Sequence, residues 1–379
     1  YFNKMKGSRE FISAITRKAK NQGYIHNRYG RRYYIPEGRE YIATNFAVQG
    51  CNHPDTMIWT GSGLFRNQDL VGKKFFVWNG LDYVPAVGVN AGLKQEYEVT
   101  FTNNQIYRCS PEHFFLCVGD SGELKWKQAN EITSDDWVTQ SELIDIGQDV
   151  DEDLAELAGR LLGDGDPMAT TPYLMFHYEL ELSDIDFYEK VANKHGFTTS
   201  RGVMVRGRTD IRHDMPILRF RSDFHKWYSD LGGCWTKSYE RKIPIVVFQW
   251  SLKARRAFLR GLISADGGWT GHTIQYTSTK ERLARDTQQL LMSCGIRSIL
   301  RNQKSGLHSA YRLSISDTGR YINEIGFRQS YKQNHSHQHS GKGSSYKLPM
   351  KLSKLVCELG RDKIRQSEGN GFTDSQKVM

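Results

Sequence analysis

Two stretches with the same pattern decide the fold of this chain: Leu157-Ala-Gly-Arg-Leu-Leu-Gly-Asp-Gly165 and Leu259-Arg-Gly-Leu-Ile-Ser-Ala-Asp-Gly267. Each is an apolar helical segment that carries small residues and ends in Asp-Gly. The small residues recur four positions apart, so they share one helix face and let two helices pack backbone against backbone. We expect this pairing to bring Asp164 and Asp266 together. Carboxylate oxygens are suited to Mg²⁺, so the pair predicts a divalent-metal site.

The repeat extends beyond these segments. After each Asp come strand-like segments, a helix that ends in glycine, another strand and a second helix. Each unit closes with Lys-aliphatic-Pro: Lys242 lies 78 residues after Asp164, and Lys347 lies 81 residues after Asp266. A lysine there would lower the pKa of an attacking water or screen phosphate charge. Either lysine alone is more simply a solvated side chain before a helix, but the matched spacing favours catalytic roles for both.

This two-unit pattern resembles the single-chain LAGLIDADG homing endonucleases over residues 148–351, with units at about 148–244 and 245–351. The resemblance implies a duplicated α+β fold of αββαββα units whose basic strands lie in the major groove of a long double-stranded DNA site. It also implies two or more Mg²⁺ ions at the endonuclease site. The expected DNA-contacting residues are Arg201, Arg206, Arg208, Arg212, Arg219, Arg221, Arg297, Arg301, Lys304 and Arg312. The first motif departs from the family pattern at Arg160 and Gly163, where an aliphatic residue and an alanine are usual.

Residues 51–147 differ in charge from their surroundings. They carry 7 basic and 13 acidic side chains, whereas residues 1–50 carry 10 and 3, and the remainder carries 35 and 26. Two basic blocks around an acidic one predict two modules that face nucleic acid and one that does not. Short strand-like runs such as Lys74–Trp78, Ile106–Cys109 and Phe114–Val118, separated by turn pairs, predict an all-β domain.

One constellation in this domain carries chemistry. Ser110 and His113 share one turn, so a hydroxyl and an imidazole are available to polarise a carbonyl and to protonate a leaving amide nitrogen. Gly50 offers an unhindered carbonyl directly before the thiol of Cys51, which is a strong nucleophile near neutral pH. Each feature alone is more simply a turn or a buried cysteine. On the residues alone, autocatalysis at the Gly50–Cys51 bond and a purely structural role both stay open.

Cys51-Asn-His-Pro-Asp-Thr-Met-Ile58 and Ser110-Pro-Glu-His113 resemble the N-terminal splicing blocks of inteins, with serine in place of the usual threonine. The resemblance implies a horseshoe-like, all-β splicing domain of the Hint type over residues 51–147. In it, Cys51 would make an N–S acyl shift without a cofactor, assisted by Ser110 and His113. The family's closing strand pair and His-Asn ending do not occur here. We therefore expect residues 352–379 to be a linker toward a C-terminal splicing segment that lies further along the chain or on a second polypeptide.

Residues 1–50 resemble the palm of family A DNA polymerases, on a predicted hairpin in Gly23–Pro36 and on Asn45-Phe-Ala-Val-Gln-Gly50. The resemblance implies a short α/β palm fragment in which Asn45 and Gln49 touch the minor groove of primer–template DNA. These residues include none of the family's metal-binding carboxylates, so the fragment cannot polymerise by itself. We therefore expect an intein that carries a homing endonuclease and interrupts a polymerase. The alternative is a DNA-binding maturase or a degenerate LAGLIDADG protein that no longer cleaves.

Composition limits where such a protein works. The six cysteines include no CxxC pair and no zinc spacing, which indicates a reducing compartment. We expect the cytoplasm of a bacterial or phage-infected cell. No run of about 18 apolar residues is present, so we expect no membrane partner.

Overall fold

The computed structural model describes residues 51–78, 83–118, 124–139, 145–166, 171–206, 213–231, 241–305, 308–315 and 317–334. In residues 1–50 it describes two short strands, β1 (Ile25–His26) and β2 (Arg32–Tyr33), which pair antiparallel and confirm the predicted hairpin. The predictions for Asn45, Gln49, Gly50, Lys347 and residues 352–379 lie outside the described residues. Among the helices described, none combines the length and the apolar character needed to cross a membrane.

The described part of residues 51–139 forms short antiparallel strands. The first sheet has the order β4-β3-β5-β6, a two-stranded hairpin of β7 and β8 follows, and β9 lies between β10 and β11. These strands are β3 (Met57–Thr60), β4 (Gly63–Arg66), β5 (Lys74–Trp78), β6 (Tyr83–Val87), β7 (Tyr97–Thr100), β8 (Ile106–Cys109), β9 (Phe114–Val118), β10 (Leu124–Gln128) and β11 (Trp137–Val138). The described part of this segment contains no α-helix, which agrees with the all-β prediction.

The first repeat unit follows the predicted αββαββα order. Its elements are α1 (Glu152–Asp164), β12 (Gly165–Asp166), β13 (Tyr173–Met175), α2 (Leu182–Lys194), β14 (Thr199–Arg206), β15 (His213–Phe220) and α3 (Ser222–Asp230). The strands form one antiparallel sheet in the order β12-β13-β15-β14. Asp151 begins α1 because its carboxylate accepts hydrogen bonds from the backbone N–H groups of Asp153 and Leu154.

The second unit repeats this arrangement. It contains α4 (Leu252–Asp266), β16 (Gly267–Thr270), β17 (Thr273–Ser278), α5 (Glu281–Ser293), β18 (Ile299–Ser305), β19 (His308–Ile315), α6 (Thr318–Glu324) and a further short helix, α7 (Ser330–Gln333). Its sheet order, β16-β17-β19-β18, matches that of the first unit strand for strand. The duplication predicted from sequence is therefore present in the fold.

Helices α1 and α4 pack against each other through glycine. A Cβ atom added at Gly159 would lie 2.0 Å from the carbonyl oxygen of Phe258, and one added at Gly261 would lie 2.0 Å from that of Glu156. Only a hydrogen atom fits at either position, so the backbones are in direct contact, as the small-residue pattern predicted. Next to the two terminal aspartates, Gly163 packs against Ala265.

Each sheet packs one face on its own helices. In the second unit, Ile274, Leu313 and Ile315 are buried against α5, and in the first unit Leu218 and Phe220 lie in an equivalent core. Fully burying a side chain of this size stabilises the fold by about 1.5–3 kcal/mol. Side chains alternate along a strand, so the neighbours of these residues lie on the opposite, open face of each sheet.

The all-β segment touches the second unit at the β7–β8 turn. Asn104 adopts a left-handed backbone conformation (φ 60°), and its Nδ2 donates to the carbonyl oxygen of Leu300 at 2.8 Å. The backbone N–H of Leu300 donates to the carbonyl of Asn103 at 3.2 Å, and so does Nε2 of Gln288 at 2.9 Å. The turn is thus fixed to the start of β18.

Candidate active site at the paired helix ends

Asp164 and Asp266 occupy equivalent places. Each is the last residue of its helix and is followed by a glycine that begins the first strand of its sheet. The carboxyl end of a helix carries a partial negative charge, so two aspartates at two adjoining ends concentrate negative charge in one place. Burial raises the pKa of Asp266, and the neighbouring Asp164 carboxylate raises it further, to about 6. Gly163 and Ala265, the residues directly before the two aspartates, are in contact, so the structure brings the two predicted residues together.

Two basic residues stabilise the helix ends. Arg241 donates from its guanidinium to the carbonyl oxygens of Leu162, Gly163 and Gly165 at 2.9–3.1 Å. Lys332 does the same for the second helix, donating from Nζ to the carbonyl oxygen of Ser264 at 2.7 Å and to that of Gly267 at 2.9 Å. Burial lowers the pKa of Lys332. Sequence reasoning missed both residues.

The structure corrects the expectation for Lys242. In the extended segment before Pro244, Ile243 is buried, Lys242 is exposed and Arg241 is half-buried against α1. The backbone N–H of Ile243 donates to Asp286 of α5 at 3.2 Å. Burial raises the pKa of Asp286 to about 6, and the nearby charge of Lys242 partly offsets that rise. Successive side chains of an extended segment point to opposite sides, so the residue at the helix end is Arg241 and not its neighbour. Its proposed partner Lys347 lies beyond the described residues.

The unusual Arg160 has a structural explanation. Its side chain is fully buried, its Nη2 lies 3.0 Å from Oδ2 of Asp164 and 2.8 Å from Oε2 of Glu181, and its guanidinium packs 5.6 Å from the ring centre of Phe176. Burial raises the pKa of Glu181, but Arg160 and a backbone hydrogen bond from His177 outweigh that effect and lower it overall. The arginine therefore joins a buried ion cluster beside Asp164.

A second buried cluster connects the two units. Glu156 of α1 has no exposed surface, and it accepts hydrogen bonds from Arg260 of α4 at 2.7 Å and from Nε of Arg328 at 2.6 Å. Tyr188 of α2 donates to the same carboxylate at 3.2 Å. Breaking such a pair leaves a buried charge without a partner, which makes the cluster a constraint on how the units sit together.

The aspartate pair fits a hard divalent cation. Both donors are carboxylates. Burial raises the pKa of each, and at Asp266 the Asp164 carboxylate adds to the rise, so a bound cation would stabilise the charged forms. Among the described residues no group of three or more His, Cys, Asp or Glu side chains could hold a metal ion. The remaining ligands would be water and phosphate oxygens, which is the usual manner of binding Mg²⁺.

The open face of the second sheet is basic and polar. Arg301 of β18 lies directly opposite Arg312 of β19, which in turn faces Thr277 of β17. Gln275 and Gln303 lie on the same face by the same register. Like charges placed opposite each other destabilise a sheet, so this pair suits a polyanion. Arginine and glutamine are also the side chains that read guanine and adenine in the major groove.

The first sheet places its arginines on two different faces. Arg219 of β15 lies over Gly202 on the open face, where an added Cβ would come within 2.0 Å of its Nη1. Arg201 pairs with the buried Leu218 and so lies on the helix face, where it contacts Asp186 at 2.6 Å and Glu189 at 2.5 Å. The expectation that Arg201 reads DNA does not fit this placement.

The remaining residues that were expected to contact DNA lie off the two open sheet faces or outside the description. Arg221 is exposed just before α3, and Arg297 is half-buried between α5 and β18. The described side chains do not include those of Arg206 and Lys304, and Arg208 and Arg212 lie outside the described residues.

The predicted autocatalytic residues also lie together. The backbone N–H of Cys51 donates to Oγ of Ser110 at 3.2 Å, and the N–H of Ser110 donates to the carbonyl oxygen of Cys51 at 2.8 Å. His113 follows in the same turn, donating its backbone N–H to the carbonyl of Ser110 at 3.0 Å. Its side chain is buried beside Tyr107 and Phe115, and Nδ1 has no hydrogen-bond partner among the described residues. Burial lowers its pKa to about 4, so the imidazole is neutral at pH 7.

Residues 253–345 match the family model of a LAGLIDADG-like domain. The replicative DNA helicase DnaB of Rhodothermus marinus is 27% identical over 257 residues, which are 62% of this chain and 26% of the helicase. The ribonucleoside-diphosphate reductase large subunit of Invertebrate iridescent virus 6 is 35% identical over 96 residues (25% and 10%). The replication factor C small subunit of Methanocaldococcus jannaschii is 25% identical over 232 residues (58% and 12%). The chain thus spans about a quarter or less of each of these relatives.

Solved structures that the chain matches include variants of the homing endonuclease I-DmoI, at 14% identity and a TM-score of 0.36, where the match covers 46% of this chain and 95% of the I-DmoI chain. Full-length DUF199/WhiA from Thermatoga maritima has 14% identity and a TM-score of 0.34, and the match covers 56% of this chain and 67% of the WhiA chain. The family match confirms a LAGLIDADG-like domain in the second unit. The resemblances of residues 1–50 and 51–147 stay predictions.

Proposed function

We propose that this chain is a site-specific endonuclease of the homing type that cuts both strands of a long double-stranded DNA site with the help of divalent metal ions, Mg²⁺ in the cell. The observation that carries the proposal is the delivery of Asp164 and Asp266 to one place by two equivalent, glycine-packed helices. Two sheets flank this place, and Arg219, Arg301 and Arg312 lie on their open faces.

The chemistry is hydrolysis of one phosphodiester in each strand. A water oxygen attacks phosphorus, one P–O bond breaks, and the leaving oxygen takes up a proton while the water gives one up. Asp164 and Asp266 would hold the divalent metal ions, which would supply water activation and stabilisation of the phosphoryl transition state. The contacts of Arg241 and Lys332 with the last carbonyl groups fix the helix ends that carry the aspartates.

A plasmid assay tests the endonuclease. A target duplex is first recovered from a random library by binding to the protein with Ca²⁺ present, and is cloned into a supercoiled plasmid. We expect Mg²⁺ to produce linear plasmid, and Asp164→Asn or Asp266→Asn to abolish linearisation. Gly268→Ala is the control, because a Cβ at that position meets nothing within 4 Å. Binding without any cleavage by the wild-type protein would favour the maturase or degenerate-nuclease alternative.

We propose a second activity, protein splicing, for residues 51–147 as a Hint-type domain. Its support is the contact between the backbone N–H of Cys51 and Oγ of Ser110. His113 lies in the same turn, and its Nδ1 has no hydrogen-bond partner within the part of the chain that the structure describes. The relatives add to it: a helicase, a reductase subunit and a replication factor share a segment that is a small part of each. A segment found within proteins of unrelated activity is what a self-removing insert would produce.

The first splicing step is an acyl shift. Sγ of Cys51 attacks the carbonyl carbon of Gly50, a thioester forms, the peptide C–N bond breaks and the released nitrogen gains a proton. Ser110 contacts that nitrogen through Oγ, and neutral His113 is available to transfer the proton. We propose a family A polymerase as the interrupted protein. We also propose a separate or later C-terminal segment for the remaining steps, and the cytoplasm of a bacterial or phage-infected cell as the place of action.

Thiol treatment tests the acyl shift. With dithiothreitol we expect mass spectrometry to detect a released fragment of residues 1–50, and Cys51→Ala to remove it. Cys117→Ala is the matched control, since that thiol is buried in the same segment and plays no part in the step. Release that persists in Cys51→Ala, or no release from the wild type, would reject this role.

A further inference from the structure

The two helix ends differ in one buried pair of residues. In the first unit Arg160 lies one turn before Asp164, whereas in the second unit Leu262 lies one turn before Asp266. Nη2 of Arg160 is 3.0 Å from Oδ2 of Asp164. Across the described residues Asp266 forms no ion pair within 4.0 Å. Among the described residues, one carboxylate of the site therefore has a direct ion pair with the protein and the other does not.

The partner of this arginine also occurs only in the first unit. Glu181 immediately precedes α2 and accepts from Arg160 at 2.8 Å, while Lys280 occupies the same place before α5. Nε2 of Gln329 donates to the other oxygen of Glu181 at 2.8 Å and holds it in place. The two helix ends are otherwise similar, because one basic residue donates to the last carbonyl groups of each: Arg241 at α1 and Lys332 at α4.

Arg160 has little freedom to leave Asp164. It has no exposed surface, and Phe176 packs against its guanidinium. Its Nε and Nη1 are buried and have no hydrogen-bond partner among the described residues, so the site offers no alternative set of acceptors. A cation that binds Asp164 must therefore share that carboxylate with a fixed guanidinium at 3.0 Å, whereas Arg160, Arg241 and Lys332 act on Asp266 only from a greater distance.

We propose that the two halves of this site are unequal: Asp266 holds its divalent cation more tightly, and the DNA strand beside Asp266 is cut first, so that nicked DNA precedes linear DNA. Arg160 is then a positioning residue that sets the order of the two cuts. This inference rests on the proposed endonuclease function, and each cut is the same balanced hydrolysis of one P–O bond.

The test compares the wild type with Arg160→Leu/Glu181→Gln, which places in the first unit the leucine of the second and also removes the Glu181 charge that would otherwise stay buried without its arginine. Mn²⁺ binding to the protein–DNA complex is measured by electron paramagnetic resonance. Strand cutting is followed on a duplex with a different label on each strand. In the wild type we expect two Mn²⁺ affinities and two cutting rates that differ about tenfold, equivalent to about 1.4 kcal/mol. In the double variant we expect both differences to fall below about threefold.

A second variant gives a change of opposite sign. Glu181→Gln alone leaves Asp164 as the only carboxylate within reach of Arg160, so we expect the difference between the two Mn²⁺ affinities to increase. This variant keeps an acceptor for Gln329 and serves if the double variant does not fold, as judged by circular dichroism. Equal Mn²⁺ affinities in the wild type, or a difference that neither variant changes, would overturn the proposal. Absence of cutting by every protein would reject the endonuclease, while the Mn²⁺ measurement would still decide the inequality.

Discussion

Replacing Gly261 with alanine tests whether helix contact sets the geometry of the aspartate pair. The added Cβ would lie 2.0 Å from the carbonyl oxygen of Glu156, 2.7 Å from the backbone nitrogen of Arg160 and 3.0 Å from the carbonyl carbon of Glu156. All three atoms belong to the backbone of α1, so no side-chain rotation relieves the overlap. Ordinary contact begins at 3.4 Å, so α1 and α4 must separate by about 1.4 Å.

Two free-energy terms oppose each other in this variant. Overpacking a core costs about 1–3 kcal/mol, and a gap of this size along a helix pair also weakens the dispersion contacts on both sides, so we take about 3 kcal/mol. Alanine in place of glycine within a helix returns about 1 kcal/mol. The net expected loss of unfolding free energy is about 2 kcal/mol. Because Asp266 moves with α4, we also expect cleavage to fall about 100-fold.

Chemical denaturation measures the stability, and the two-label duplex assay measures cleavage on protein that remains folded. Gly319→Ala is the control: it is also a helical glycine, but a Cβ there meets nothing within 4 Å, so we expect unchanged cleavage and slightly higher stability. Gly261→Ala protein with wild-type stability and cleavage would refute the argument that backbone contact between the helices positions the aspartates.

Three further predictions concern charge. Mn²⁺ affinity should fall about tenfold per pH unit below pH 6, because protonation of Asp266, whose pKa is raised to about 6, competes with the metal; calorimetry showing a constant affinity from pH 7 to 5 would contradict this. His113 has a folded pKa of about 4 against an ordinary 6.5, so the unfolded state binds the proton first. Relative to His113→Gln, the wild type should therefore lose about 1.4 kcal/mol of unfolding free energy per pH unit as the pH falls from 6.5 to 4. The same pH dependence of the unfolding free energy in both proteins would contradict this prediction. Arg301→Ala should weaken DNA binding by about 1–3 kcal/mol and relax base preference at one position. Arg201→Ala, on the opposite side of its sheet, should leave base preference unchanged.

Much of the fold followed from local patterns. The small residues of α1 and α4, the Asp-Gly at each helix end and the matched order of strand-like and helical segments were sufficient to predict a duplicated unit and the pairing of Asp164 with Asp266, whereas the αββαββα order was implied by the family resemblance. Strands β5, β8 and β9 have the predicted bounds. These features depend on periodicity within a few turns of chain, which is why the sequence contains them.

The placement of the basic residues required the tertiary structure. Arg241 was passed over for Lys242 because the sequence does not show which side of an extended segment meets α1. Lys332 was missed because it approaches α4 from a helix far along the chain. Arg201 was expected to contact DNA because the sequence does not show how β14 pairs with β15. In the structure Arg201 lies opposite the buried Leu218, which puts it on the helix-facing side of the sheet.

The sequence by itself determined the duplicated architecture, the helix pair and the two aspartates, because each repeats a recognisable local pattern. Only the tertiary structure decided which charges surround those aspartates. Arg160, Glu181 and Lys332 come from different helices or loops, and they meet because packing of the two units removes their side chains from water. A buried charge needs a partner within a few ångströms, and distance in space is a property that the order of residues does not state.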